Sequence, residues 1–230
     1  MTDSAVVIAG TMGLGRAVAE HLARDRHVWI SSRDAERAEV AAEEIGGATG
    51  LALDLSKPED IAGNLAPVGP VRHLVLAAGE RDYNTVRRYD LTTARRLVVA
   101  KIVGYTAVVH TLAPRLDPEG AIVLFGGLAK ERPYPGSTSI STVNEAVSGM
   151  VRTLARELAP IRVNGIHPGI VGDHPEWSTK PPEVLDRIID RTPLGRLITT
   201  REVVSATAFL LEHPSVNGIN LFVDGGWMIT

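Results

Sequence analysis

Cysteine is absent from this 230-residue chain, which excludes disulfides, thiol catalysis and thiolate metal sites. Positive charge is not in excess either: 24 Lys and Arg stand against 27 Asp and Glu, a formal net charge of -3. There is no basic run and no patch of interleaved aromatic and basic residues, so neither nucleic acid nor an anionic membrane is expected as a partner. The first ten residues, MTDSAVVIAG, lack a basic n-region and a long apolar h-region, so no signal peptide is expected. The most apolar helix-length stretch, LVVAKIVGYTAVVHTLA, is broken by Lys101 and His110 and reads as too polar to cross a bilayer. The histidines show no ligand spacing, so no metal is expected. Repeats, low-complexity segments and interdomain linkers are missing too. A cytoplasmic protein of one domain spanning 1–230 is the expectation.

What is present is alternation. AVVIA (5–9), HVWIS (27–31), TGLAL (49–53), HLVLA (73–77), AIVLF (121–125), IRVNGI (161–166) and INLFV (219–223) read as strands. Their continuous apolar runs suit strands covered on both faces. Helix patterns lie between them, over 14–25, 34–45, 91–113, 142–158 and 201–212. Strand–helix alternation over the whole length predicts an α/β fold, a doubly wound, seven-stranded parallel sheet of the Rossmann type. Residues 172–195, rich in Pro, Gly and charge, have no clear element and are a candidate substrate loop.

The first strand runs into AGTMGLGRAVAEHLA, with Gly10, Gly13 and Gly15 between strand and helix. Glycines there let the backbone turn tightly and approach a pyrophosphate, which then rests on the helix N-terminus. At the end of the second strand, where NAD-binding folds place an acidic residue, the chain reads Ser32-Arg33. Without a carboxylate a 2′-phosphate is not repelled, and a guanidinium pairs with one. NADP(H) is therefore expected over NAD(H).

With these features the chain resembles the short-chain dehydrogenase/reductase family over nearly its whole length. The landmarks are the glycine turn, Asp54-Leu55, Ala78-Gly79, the segment REL-AP-IRVNGIHPG across 156–169, and FVDGG at 222–226. The family's first motif glycine aligns with Ala9, and its Asn-Asn-Ala-Gly motif reads Leu76-Ala77-Ala78-Gly79, losing a polar support of the central sheet. The resemblance implies cofactor contacts from Gly10, Met12, Gly13 and Leu14, from Ser32 and Arg33, and from Asp54 and Leu55. It implies further ones from Ala78 and Gly79, from Asn144, and from Pro168, Gly169 and Val171. It also implies a homodimer or homotetramer, with helices 91–113 and 142–158 pairing between subunits; Val98, Val99, Ile102 and Val109 would face a partner helix or cover the sheet.

Catalysis is where the resemblance breaks. The family uses Ser, Tyr, Lys four residues after the Tyr, and a helper Asn. Aligned on Gly149, Arg162-Val163-Asn164 and Pro168-Gly169, these positions read Gly127, Ile140, Asn144 and Lys101. Lys101 and Asn144 look like an exchange of Asn and Lys between neighbouring helices, which predicts an ammonium within a hydrogen bond, or one water, of Asn144. Ile140 and Gly127 offer no acid and no hydroxyl, so an ordinary ketone would lose help worth ~10²–10⁴ in rate. A bulky or cationic small molecule, such as an iminium, needs no such proton. Substitute acids are His167 at the end of the sixth strand, and Glu80, Asp82, Asp173 and His174 on loops. Besides such a reductase, a cofactor-binding protein without turnover and a non-redox enzyme also fit this sequence.

Overall fold

The computed structural model describes residues 4–230. Seven strands pair in the order β3-β2-β1-β4-β5-β6-β7, every pair parallel. They are β1 Ser4–Ile8, β2 His27–Ser32, β3 Ala48–Ala52, β4 Val71–Leu76, β5 Leu116–Phe125, β6 Arg162–Pro168 and β7 Asn220–Val223. The chain winds outward from β1 in one direction, returns, and continues from β4 in the other. The order reverses between β1 and β4, and the crevice beyond their carboxyl ends is where such sheets bind ligands.

Side-chain alternation builds two cores. Val6, Ile8, Leu74, Leu76, Ile122 and Leu124 face one side, covered by Val108 and Leu112 of α5 (Tyr105–Leu112) and Val147 and Val151 of α6 (Thr138–Glu157). Ala5, Val7, Val28, Ile30, Val75 and Val123 face the other. There Val18 and Leu22 of α1 (Gly13–Leu22), Ala41 and Ala42 of α2 (Ala35–Ile45), and Val203 and Leu210 of a late helix close over them. Two-sided burial is why the strands read as unbroken apolar runs. This is a single-domain Rossmann-like fold.

Several boundaries differ from expectation. Strand β5 begins at Leu116, five residues before the apolar run, because the polar LDPEG continues the extended backbone. Helix α6 begins at Thr138, so Ile140 lies in its first turn. A short α3 (Ile61–Asn64) was not legible. The stretch 172–195 is not irregular throughout: it holds α7 (Pro175–Ser178) and α8 (Pro182–Ile189) before α9 (Thr200–Glu212). Both α7 and α8 have proline in the first turn, which suits a helix start.

The helix before β5 is interrupted. It runs as α4 (Leu91–Val98), a wider π turn over Val99–Gly104, then α5. Leu91–Arg115 is apolar enough by length and composition to cross a membrane, but Leu97, Ala100, Tyr105, Val108, Val109 and Leu112 are buried in the protein's own core. Val109 thus covers the sheet, while Val98 and Val103 point outward. Gly104 permits this packing: a Cβ there would run into the Leu55 carbonyl oxygen.

Candidate active site

The turn after β1 is built on backbone contacts that side chains would block. A Cβ on Gly10 would lie 2.9 Å from the Val7 carbonyl oxygen, and one on Gly15 would collide with the Ala9 carbonyl oxygen. Gly13 opens α1 with φ +55°. The result is a cradle whose glycines carry no side chains at a helix N-terminus, a place suited to a diphosphate, with His174 Nε2 beside Gly13. Ala9 takes the left-handed conformation, φ +64°, alone among the described non-glycine residues, and its N–H donates to Ser31 Oγ at 3.1 Å. An alanine in that region costs about 1–2 kcal/mol. Ala9→Gly is therefore expected to raise stability by about 0.5–1 kcal/mol, part of the relief being offset by glycine's unfolded-state entropy. Urea denaturation reads the shift, and a lowered midpoint would contradict it.

Around the cradle, Met12 is exposed at the helix cap and Leu14 is partly buried. Arg33 Nη1 lies 3.7 Å from Glu80 Oε1, which is held more closely by Arg96 Nε at 3.0 Å. Ser32 Oγ accepts from Asp34 N. Asp54 folds on itself, accepting from the Ser56 N–H and hydroxyl at 2.9 and 2.7 Å. Ala78 and Gly79 leave the end of β4, where Ala77 N donates to Ile8 O. Gly169 N donates to Val223 O, and Val171 bridges Ile198.

The catalytic candidates gather at the ends of β4, β5 and α6. Lys101 is 3% exposed and points inward from the π turn. Its Nζ donates to Tyr105 Oη and to the Phe125 carbonyl, both at 3.0 Å. No direct hydrogen bond joins it to Asn144; its acceptors lie on its own helix and on β5. Burial pushes the Lys101 pKa down to about 7, with Glu80 opposing the shift. The Tyr105 hydroxyl in turn donates to Leu76 O at 3.0 Å, and burial pushes its phenol up. Tyr105 thus supplies polar support to β4, where Leu76-Ala77 has no side-chain amide. The sequence reading missed it; the signal was the spacing of Lys101 and Tyr105, four apart on one helical face.

Gly127 has extended backbone, and a Cβ there would lie 2.8 Å from Asn144 Nδ2. The Asn144 amide, 4% exposed, therefore fills the space beside residue 127. Ile140 packs in a small apolar cluster with Leu97, Ala129 and Val143.

The other proposed acids are mostly engaged elsewhere. His167 is fully buried in β6; Nε2 donates to Asn220 Oδ1 at 2.8 Å, and burial pushes its pKa down to about 4. His167 thus sits inside the sheet with Nε2 committed to Asn220, not on an open face of the site. It belongs with Arg162 and Asn164, which bond the Leu210 and Val216 carbonyls and pin β6 to the chain's last elements. Asp173 Oδ1 accepts from the Thr200 N–H and hydroxyl, at 2.8 and 2.9 Å, fastening α9. Asp82 is buried, with Oδ2 taking Asn84 Nδ2 at 2.6 Å and Oδ1 left without a partner. Asn84 O accepts from Thr138 N at the start of α6, which sets this loop beside Ile140.

Residues 8–228 match the family described as enoyl-(acyl carrier protein) reductase. The chain is 34% identical over 236 residues to carbonyl reductase family member 4 of Xenopus tropicalis, covering 98% of each. The chain belongs to the short-chain dehydrogenase/reductase family. A 3-oxoacyl-[acyl-carrier-protein] reductase of Mus musculus is 32% identical, with both chains fully covered. The solved structure of a short-chain dehydrogenase/reductase described as glucose/ribitol dehydrogenase, from Brucella melitensis, superposes with a TM-score of 0.91 at 26% identity, covering 98% of this chain and 96% of that one. Members of the short-chain dehydrogenase/reductase family are NAD(P)H-dependent oxidoreductases, and the glycine cradle of this chain, built on close backbone contacts at Gly10 and Gly15, fits such a nucleotide.

Proposed function

We propose that this chain is an NADPH-dependent reductase acting on a substrate that arrives already electrophilic: an iminium, formed when an imine is protonated in solution or when a protonated hemiaminal loses water. One observation carries the reading. The Asn144 amide occupies the space that a side chain at Gly127 would need, and Ile140 beside it is committed to an apolar cluster. Neither residue offers a proton or a hydroxyl, so in this reading the chain is an atypical member of its family.

NADPH supplies the hydride when bound. The glycine cradle would hold the diphosphate. Arg33, sharing Glu80 only loosely at 3.7 Å, would exchange that carboxylate for a 2′-phosphate. Pro168, Gly169 and Val171 would border the nicotinamide end. At an iminium carbon a new C–H bond forms while the C=N π pair becomes the nitrogen lone pair, so the cation is neutralised without proton transfer. The buried Asp82 carboxylate, with one oxygen unpaired, supports a cationic ligand near the start of α6, because an unpaired buried carboxylate is costly. Val98 and Val103, exposed on the helix before β5, would face a second copy of the chain.

A second reading, reduction of a carbonyl, draws on the names of the related carbonyl and 3-oxoacyl reductases. Its proton would come from Lys101, whose pKa of about 7 suits a general acid near neutrality. NADPH oxidation measured with cyclic imines, hemiaminals and simple ketones separates the two. Turnover of imines is expected; turnover of ketones alone supports the second reading, and nucleotide binding with no turnover overturns both.

A further inference from the structure

We infer that His174 is a positioning residue for the cofactor: its Nε2–H donates to the diphosphate and couples the α7–α8 segment to the bound nucleotide. This rests on the nucleotide-binding reading above and adds a residue to it. The His174 ring stands over the glycine cradle, its Nε2 2.8 Å from where a Cβ on Gly13 would be. The other ring nitrogen, Nδ1, accepts from Glu176 N at 3.3 Å. An accepting Nδ1 leaves the proton of a neutral imidazole on Nε2, so a donor faces Gly13.

The imidazole is fixed from three directions. His174 is the N-cap of α7, and its carbonyl accepts from Trp177 N at 2.8 Å and Ser178 N at 3.0 Å. Its neighbour Asp173 is fastened to Thr200. Glu176 pairs with Arg81 at 2.6 Å, tying α7 to the loop after β4. The segment after β6 thus reaches the loop after β4 through Glu176 and the turn after β1 through His174. A diphosphate in the cradle would meet the backbone N–H groups of α1 from below and the imidazole N–H from above. Charge on the ligand makes such a hydrogen bond a strong one.

The test is nucleotide affinity read by NADPH fluorescence, with 2′-AMP, which lacks the 5′-diphosphate, measured by competition. His174→Ala is expected to raise the NADPH Kd about tenfold and leave 2′-AMP affinity unchanged. His174→Gln, whose amide keeps a donor at a similar reach, is expected to recover most of the loss. Unaltered or tighter NADPH binding by His174→Ala would overturn the inference, since the ring would then only fill the cradle. Equal weakening of 2′-AMP would also overturn it, by showing a general loss of structure. If the unaltered protein binds neither NADPH nor NADH, the nucleotide reading itself fails, a result distinguishable from either of these.

Discussion

Ile140→Tyr is expected to leave the reduction of simple ketones at the unaltered protein's level, although it places a phenol where the resemblance puts the family's tyrosine. A tyrosine donates to a developing alkoxide only when its pKa, ordinarily about 10, is drawn down by a neighbouring cation. Asn144 is neutral, and the Lys101 ammonium is spent on Tyr105 and Phe125 O. The ring must also enter a cluster shared with Leu97, Ala129 and Val143, an overpacking worth about 1–3 kcal/mol of stability. Restoring the machinery takes Gly127→Ser and Asn144→Lys as well. These two go together, because a Cβ at 127 lies 2.8 Å from the Asn144 amide nitrogen, so a serine there requires a change at 144. The triple variant is expected to gain ~10²–10⁴ in ketone kcat/KM. A gain of that size from Ile140→Tyr alone would contradict the proposal.

The second large effect concerns stability. Lys101 is fully buried, and its pKa falls from 10.5 in the ordinary ammonium to about 7. Between those values the unfolded chain holds a proton that the folded protein does not, so stability rises with pH across that window. The penalty is fully expressed below about pH 7 and gone above about 10.5. At 1.36 kcal/mol per pH unit, a difference of 3.5 sets an upper bound of about 5 kcal/mol; relaxation around the ammonium lowers it to about 2–3. Lys101→Met, close in length and uncharged, should be more stable than the unaltered protein at pH 7 by about 1–3 kcal/mol, the lost hydrogen bonds taking the remainder. The difference should close by pH 10. Urea denaturation followed by circular dichroism at several pH values measures both. Parallel curves for the two proteins would show that Lys101 keeps its charge in the fold.

The sheet and the glycine cradle were legible because the forces behind them act locally on sequence. Strands buried on both faces must be apolar throughout, and a turn packed on Val7 O and Ala9 O admits only glycine. The first motif position was legible as a departure, and Ala9 bears it as a left-handed backbone. His167 misled because strand-end position alone does not show that Gly126 leaves room for its ring inside the sheet, or that Asn220 waits 53 residues away to accept its proton. Tyr105 escaped because its partner, the Leu76 carbonyl, comes into reach only once the helix has packed on β4. The π turn that aims Lys101 inward has no composition of its own. Helices α7 and α8 were hidden by proline and charge, which mark a loop and a helix start equally well. The contact between His174 and Gly13, about 160 residues apart in sequence, is a product of topology alone.

The central claim is that the substrate brings its own electrophilicity. It is tested most directly with an N-methylated cyclic iminium, which carries a permanent charge and needs no proton, against the ketone of the same ring skeleton. Rates of NADPH oxidation for the two are compared at the same pH. The account predicts a kcat/KM for the iminium at least ~100-fold above that for the ketone, the share ordinarily contributed by acid catalysis. A ketone turned over as fast as the iminium, or faster, would contradict it.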